Sequence, residues 1–260
     1  MPHFISSQAW LEHFQHNAIN QLPIPWERGP ELSSAERQAV LVSLQAWQLG
    51  ETSEGVHFLK STRRYAKTVA DPTLVAVVQH FIAEEQRHGE LLGRFLDLHH
   101  VPRIKRNWAD GVFRVLRTAL HRLEIWTTVV LIVETFALIY YRSILRATNS
   151  SVLQAICRQI LKDEIHHLQF QYERLAQMYQ GRSRFGRAIT VSAQRVLFCG
   201  TALAVWIGHH KAFRAGGYSY PRFWQATWTR MQRHWQLMQL TEAPSMRHPK
   251  LQTLAEVIAR

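Results

Sequence analysis

Two short stretches of this chain match each other in a way that leaves few folds open. "AEEQRHGE" (83–90) sets Glu85 three residues before His88, and "KDEIHH" (162–167) sets Glu164 three residues before His167. Residues three apart share one face of an α-helix. Two further carboxylates stand at matching register. Glu54 precedes Glu85 by 31 residues, and Glu134 precedes Glu164 by 30. The offset from Glu85 to Glu164 is 79, and from Glu54 to Glu134 it is 80. A carboxylate stretch followed by a Glu-x-x-His stretch therefore occurs twice, as a degenerate internal repeat. About 30 residues is one helix up, a turn and one helix back, which brings the four stretches to a common height in a bundle.

The remaining sequence agrees with an all-α chain. Residues 34–69 favour helix, with Gly50 and Gly55 as the only breakers. "ADPTL" reads as a helix start, with Asp71 as cap and Pro72 at the first helical position, and that helix is expected to reach about Leu98. Residues 99–111 read as a connection. A long apolar helix then runs to about Ala147, "TNSS" (148–151) caps the next, and Gly181 ends that one. Further helices are expected over 184–214 and 221–240, with 243–250 loose. No segment alternates with period two, so a sheet is not expected. Charge marks a boundary near Gly181: residues 1–180 hold 19 Lys/Arg against 17 Asp/Glu, whereas 181–260 hold 12 against two. The expected organisation is an N-terminal extension over 1–32, a helical bundle over 33–180, and a basic helical extension over 181–260 packed on it.

Glu134 sits at the middle of "IWTTVVLIVETFALI" (125–139), a run that reads as a helix buried on nearly all sides. Neither this run nor "VLFCGTALAVWI" (196–207) reaches the roughly 20 apolar residues of a spanning helix. The start "MPHFISSQAW" lacks the layout of a secretory signal, and Cys157 and Cys199 form no framework. The expectation is a cytoplasmic chain with two free, packed thiols. A buried carboxylate is costly unless it is paired or bound to metal. Glu54, Glu85, His88, Glu134, Glu164 and His167 supply four carboxylates and two imidazoles, a set that suits two divalent iron or manganese ions. The first position stays open: Glu51, one turn earlier and offset by 83 from Glu134, competes with the register-preferred Glu54. His57, three residues after Glu54, is a further candidate ligand or hydrogen-bonding group, and a packed polar residue otherwise. Tyr141, seven residues after Glu134 on the same face, is the candidate catalytic tyrosine, as a radical or hydrogen-bonding group; a core aromatic is the alternative reading.

The pattern Glu…Glu-x-x-His…Glu…Glu-x-x-His resembles the ferritin-like di-iron carboxylate superfamily, over residues of about 45 to 175. The mid-helix Glu134 and the 30-residue spacings resemble its oxygen-activating branch. The resemblance implies a ferritin-like four-helix bundle with additional C-terminal helices. It also implies two iron ions or a Mn/Fe pair, O2 as co-substrate, an external electron donor and a small-molecule substrate. The implied function is a non-haem dinuclear oxidase or monooxygenase. A ferroxidase or iron-handling protein, or a membrane- or RNA-associated hydroxylase, is the alternative. In bacterial monooxygenases of this superfamily the acid before each ligand glutamate hydrogen-bonds the histidine of the opposite half. By that resemblance Glu84 orients His167 and Asp163 orients His88. A homodimer is compatible with it.

The last helix carries Trp224, Trp228, Met231, Trp235 and Met238 at helical spacing, with Arg222, Arg230 and Arg233 on other faces. Together with Arg103, Lys105 and Arg106 these suggest a basic surface. Packing of the stripe on the bundle is the plain reading. Peripheral contact with a membrane or a nucleic acid is the sharper one, although no nucleic-acid motif is present.

Overall fold

The computed structural model describes residues 4–52, 54–106 and 122–238, and among these the protein is all-α with no strand. The helices are α1 Ser7–Ile19, α2 Ser34–Glu51, α3 Val56–Thr68, α4 Thr73–Leu98, α5 Leu123–Ala147, α6 Ser151–Met178, α7 Arg184–Ala215 and α8 Tyr220–Leu237, with a 3-10 turn at Trp26–Arg28. The connection expected over 99–111 and the end of the 221–240 helix lie partly outside the described residues, and 243–250 lies wholly outside them.

Side-chain caps set most helix starts. Ser33 and Glu36 exchange hydrogen bonds with each other's backbone N–H at the start of α2. Ser150, Ser183 and Ser219 each accept from the N–H three residues on, at the starts of α6, α7 and α8. Asp71 is not the cap of α4. Its carboxylate accepts from the Ser7 hydroxyl instead, which ties the start of α1 to the start of α4.

The stretch 34–69 is two helices rather than one. α2 stops at Glu51, and Gly55, at φ +65°, turns the chain into α3. A left-handed residue here favours glycine. Packing adds to that requirement, because a Cβ on Gly55 would collide with the Ile82 side chain of α4.

α5 is the central element. From Glu134 to Ile144 every residue is buried, because α6 covers one side while α7 and α8 cover another. Phe136 of α5 stacks with Phe198 of α7 and Phe223 of α8, at ring distances of 5.0 and 5.8 Å. Met231, Trp235 and Met238 of α8 are buried, and Trp224 and Trp228 pack against the same core. The Trp/Met stripe is therefore consumed by packing. α1, part of the expected N-terminal extension, buries Trp10, Phe14 and Asn17 along α4. Cys157 is buried, whereas Cys199, expected to be packed, is exposed.

Two described helices, α5 and α7, are long and apolar enough to cross a membrane by length and composition. The isolated runs 125–139 and 196–207 had suggested otherwise, and the difference lies in helix lengths of 25 and 32 residues. α5 buries 78% of its most apolar window inside the protein, but α7 buries only 33% of its own.

Candidate metal centre

Four helices bring their acids and imidazoles to one place. α4 supplies Glu85 and His88 from one face, and α6 supplies Glu164 and His167 in the same way. α5 supplies Glu134 from mid-helix, and α2 supplies Glu51 from its last residue. Ligand atoms of Glu51, Glu85 and His88 lie within 4.8 Å of one another, as do those of Glu85, Glu164 and His167. Glu85 belongs to both groups. Its Oε1 is 2.9 Å from His167 Nδ1 and 3.7 Å from His88 Nδ1. Glu134 Oε1 lies 4.0 Å from the same His167 nitrogen. The structure thus brings together five of the six register-based candidates and leaves out the sixth.

That sixth residue is Glu54. It is exposed, in the connection between α2 and α3, and Glu51 takes the place beside Glu85. The register argument assumed a continuous helix through 50–57. The helix ends at Glu51, so counting turns beyond it carries no weight. His57 is likewise exposed on α3. Tyr141 is fully buried and donates its hydroxyl to Glu51 Oε1 at 2.7 Å, which fixes the carboxylate of α2 against α5.

The imidazoles are held from outside the cluster in a crossed pattern. His88 Nε2 lies 2.9 Å from Asp163 Oδ2 on α6, and His167 Nε2 lies 3.1 Å from Glu84 Oε2 on α4. An acid at Nε2 orients each ring so that Nδ1, the nitrogen a metal would take, faces the carboxylates. Asn17 of α1 donates to Glu84 and, at 2.7 Å, to Asp163 Oδ1, so one amide bridges the two orienting acids. Gln159 donates to Asp163 at 2.7 Å, Gln171 to Glu134 at 2.6 Å, and Arg87 to Glu84 at 3.1 Å.

Against these satisfied outer atoms, the inward atoms make no hydrogen bond of good geometry among the described residues, and His167 Nδ1 meets Glu85 Oε1 only as a close ion pair. His88 Nδ1, His167 Nδ1, Glu85 Oε1, Glu134 Oε2 and Glu164 Oε2 are all buried in this condition. Buried polar atoms are nearly always paired, and a charged one costs several kcal/mol otherwise. Five in a single cluster, all of types that ligate divalent transition metals, fit a bound cation better than a packing defect.

The electrostatics express the same surplus of negative charge. Burial, with the charge of Glu85 adding to it, pushes the Glu51 carboxyl well above its ordinary pKa. Burial does the same to Glu134, and to Glu164 with help from Glu134 and Glu85. Burial also opposes charge on Glu85, but His167 and His88 beside it hold it below the ordinary value. For His167, burial is overcome by Glu84 and Glu85, and the imidazole is raised well above its usual range. Asp163 is opposed by burial and still held down to about 2 by His88, Asn17 and Gln159.

A cavity of about 170 Å³ borders the cluster. Glu51, Glu85, Glu134 and Glu164 form its polar end, and its walls are mostly apolar, with Phe58, Phe81, Trp126, Val130 and Val133 among them. His209 of α7 also lines it. The His209 ring accepts or donates at 2.8 Å to Ser43, and burial lowers its pKa to about 4, so this wall is uncharged at neutral pH.

Asn17, Gln159 and Gln171 were not singled out from the sequence. Gln171 lies seven residues after Glu164, and Gln159 four before Asp163, so both sit on readable faces of α6. Asn17 had a weaker signal: Trp10, Phe14 and Asn17 follow at helical spacing after Ser6. Comparison of the chain with protein-family profiles, with characterised proteins and with solved structures finds no match. The structural finding is therefore of an all-α protein whose carboxylates and histidines are placed so that they can bind metal.

Proposed function

We propose that this protein is a non-haem dinuclear metal oxidase or monooxygenase that uses O2 to oxidise a small, largely apolar organic molecule. The observation that carries the reading is the set of inward-facing, unpaired ligand atoms of two imidazoles and three carboxylates at the end of an apolar cavity. In this reading one ion is held by Glu51, Glu85 and His88, and the other by Glu85, Glu164 and His167 with Glu134 beside them. The ligand order along the chain supports a ferritin-like bundle as the parent architecture. The metal pair, iron or Mn/Fe, supplies the electrons and Lewis acidity for oxygen activation when bound.

The chain's own residues have separate tasks. Asp163 and Glu84 hold each imidazole by Nε2 and so fix which nitrogen faces the ions. Tyr141 holds Glu51 in place and offers a hydroxyl proton to that carboxylate. Gln171 keeps one oxygen of Glu134 occupied and leaves the other for the metals. The apolar wall excludes water and selects a substrate by shape rather than charge. Oxygen activation consumes the electrons of the reduced metal pair, so an external reductant is part of the proposal.

The test is oxygen consumption by metal-loaded, chemically reduced protein. Uptake of O2 that is stimulated by small aromatic or aliphatic compounds supports the proposal. Rapid uptake unaffected by any such compound, with ferric iron as the sole product, assigns a ferroxidase instead.

A further inference from the structure

The helix that walls the cavity also presents a long face that no other described residue covers. α7 packs on the core through Val191, Phe198, Ala202, Val205 and Phe213. On its opposite side Phe185, Ile189, Val196, Leu203 and Ile207 are each more than half exposed. Their spacing of 4, 7, 7 and 4 residues follows one face of a helix. At 1.5 Å per residue the stripe is about 33 Å long. Monomeric soluble surfaces seldom leave so continuous an apolar strip open without a use.

The charge around the strip says what covers it. Residues 181–238 hold nine Lys/Arg and no Asp or Glu. Arg184, Arg195, Lys211 and Arg214 are exposed along α7 itself. Pairing this face with a second copy would set these cations against the same cations, with no carboxylate in α7 or α8 to separate them. A nucleic acid would use the cations and leave the apolar strip unspent. An anionic bilayer uses both, with headgroups on the basic flanks and acyl chains on the strip.

We infer that α7 docks the protein in the plane of an anionic membrane surface, lying on it rather than crossing it. Crossing is opposed by the other face of α7, which is committed to α5, α2 and α8. Val205 and His209 line the cavity from this same helix, so docking sets the cavity wall next to the bilayer. The inference stands on the exposed strip and its charge, and does not depend on the chemistry proposed for the metal centre.

The experiment uses the full chain with vesicles of phosphatidylcholine alone or mixed with phosphatidylglycerol. Cys199 is exposed on α7 while Cys157 is buried, so a polarity-sensitive fluorophore can be placed at Cys199 alone. The expected result is sedimentation with the anionic vesicles, a blue shift of the label, and loss of both in high salt. Val196→Glu with Leu203→Glu removes the strip at exposed positions and should weaken vesicle partition by tenfold or more, with an unchanged circular dichroism spectrum. Arg184→Gln with Arg214→Gln should weaken binding to anionic vesicles and reduce its salt dependence. Three results would overturn the inference: no sedimentation with anionic vesicles, a Cys199 that is already protected in lipid-free protein, or a dimer that the Val196→Glu/Leu203→Glu variant converts to monomer.

Discussion

Replacing Glu51 by Gln separates the two sides of the account, because its predicted effects on stability and on metal loading have opposite signs. Glu51 and Glu85 place ligand oxygens within 4.8 Å of each other in a buried site. At an effective dielectric of about 20, two full charges at that distance repel by roughly 3.5 kcal/mol. Proton uptake relieves part of this, since burial and Glu85 already push the Glu51 carboxyl upward. A remaining penalty of about 1–2 kcal/mol is removed by the neutral, equally sized Gln, whose carbonyl oxygen can still accept from Tyr141. For a chain of this length that raises the midpoint of the metal-free protein by about 2–6 °C. The same change removes a ligand from the Glu51–Glu85–His88 group, so metal content should fall by about one ion per chain. Glu54→Gln, at an exposed position, should alter neither quantity. The assays are thermal unfolding after chelation and elemental analysis after reconstitution. A Glu51→Gln protein that is markedly less stable without metal refutes the electrostatic reasoning. A variant that keeps its full metal load while Glu54→Gln loses an ion refutes the ligand assignment.

Other perturbations probe the surrounding shell. Asp163→Asn leaves His88 without its acid and should weaken metal binding by about 10–100-fold in a competition titration, with an unchanged helical spectrum. Asn17→Ala removes the amide shared by Glu84 and Asp163 and should cost about 1–3 kcal/mol in denaturant unfolding of the metal-free chain. Ala137→Phe fills the cavity beside Glu134 and should abolish substrate-stimulated oxygen uptake while the metal content stays at the wild-type value. His234 is held to a pKa of about 3 by burial, so between that value and the unfolded value of about 6.5 the unfolded chain binds the extra proton. Stability therefore falls with acidification through this window, by up to roughly 5 kcal/mol from this residue. His234→Gln should flatten the dependence of unfolding free energy on pH there by one proton.

The sequence and the structure agree most closely where helical periodicity alone decides. Glu85 with His88, and Glu164 with His167, needed only a three-residue spacing in uninterrupted helices. Glu134 needed only its position inside an apolar run. The acids Glu84 and Asp163 were assigned by resemblance, and they lie opposite His167 and His88. Glu51 was harder because a single left-handed glycine, Gly55, ends the continuity on which register counting depends. The breaker was visible, but where the chain leaves the helix depended on how Gly55 meets Ile82 of α4, a long-range contact. Asn17 shows the same limit more sharply. It stands 67 residues from Glu84 and 146 from Asp163, and only the packing of α1 on α4 makes it a bridge. Of the basic residues expected beside the bundle, Arg103 is paired with Glu90 and Asp97, whereas Lys105 and Arg106 are exposed. The exposed strip of α7 could not be told from a core face by composition, since burial of one side only is settled by what α5, α2 and α8 leave uncovered.

The central claim is that the unpaired imidazole and carboxylate atoms exist to hold two metal ions. It is tested most directly by elemental analysis of the wild-type chain, as purified and after anaerobic reconstitution with Fe(II) and Mn(II). The account predicts close to two ions per chain, falling to well below one when Glu85, shared by both ligand groups, is changed to Gln. Less than one ion per chain under every loading condition, or a full load retained by Glu85→Gln, would contradict it.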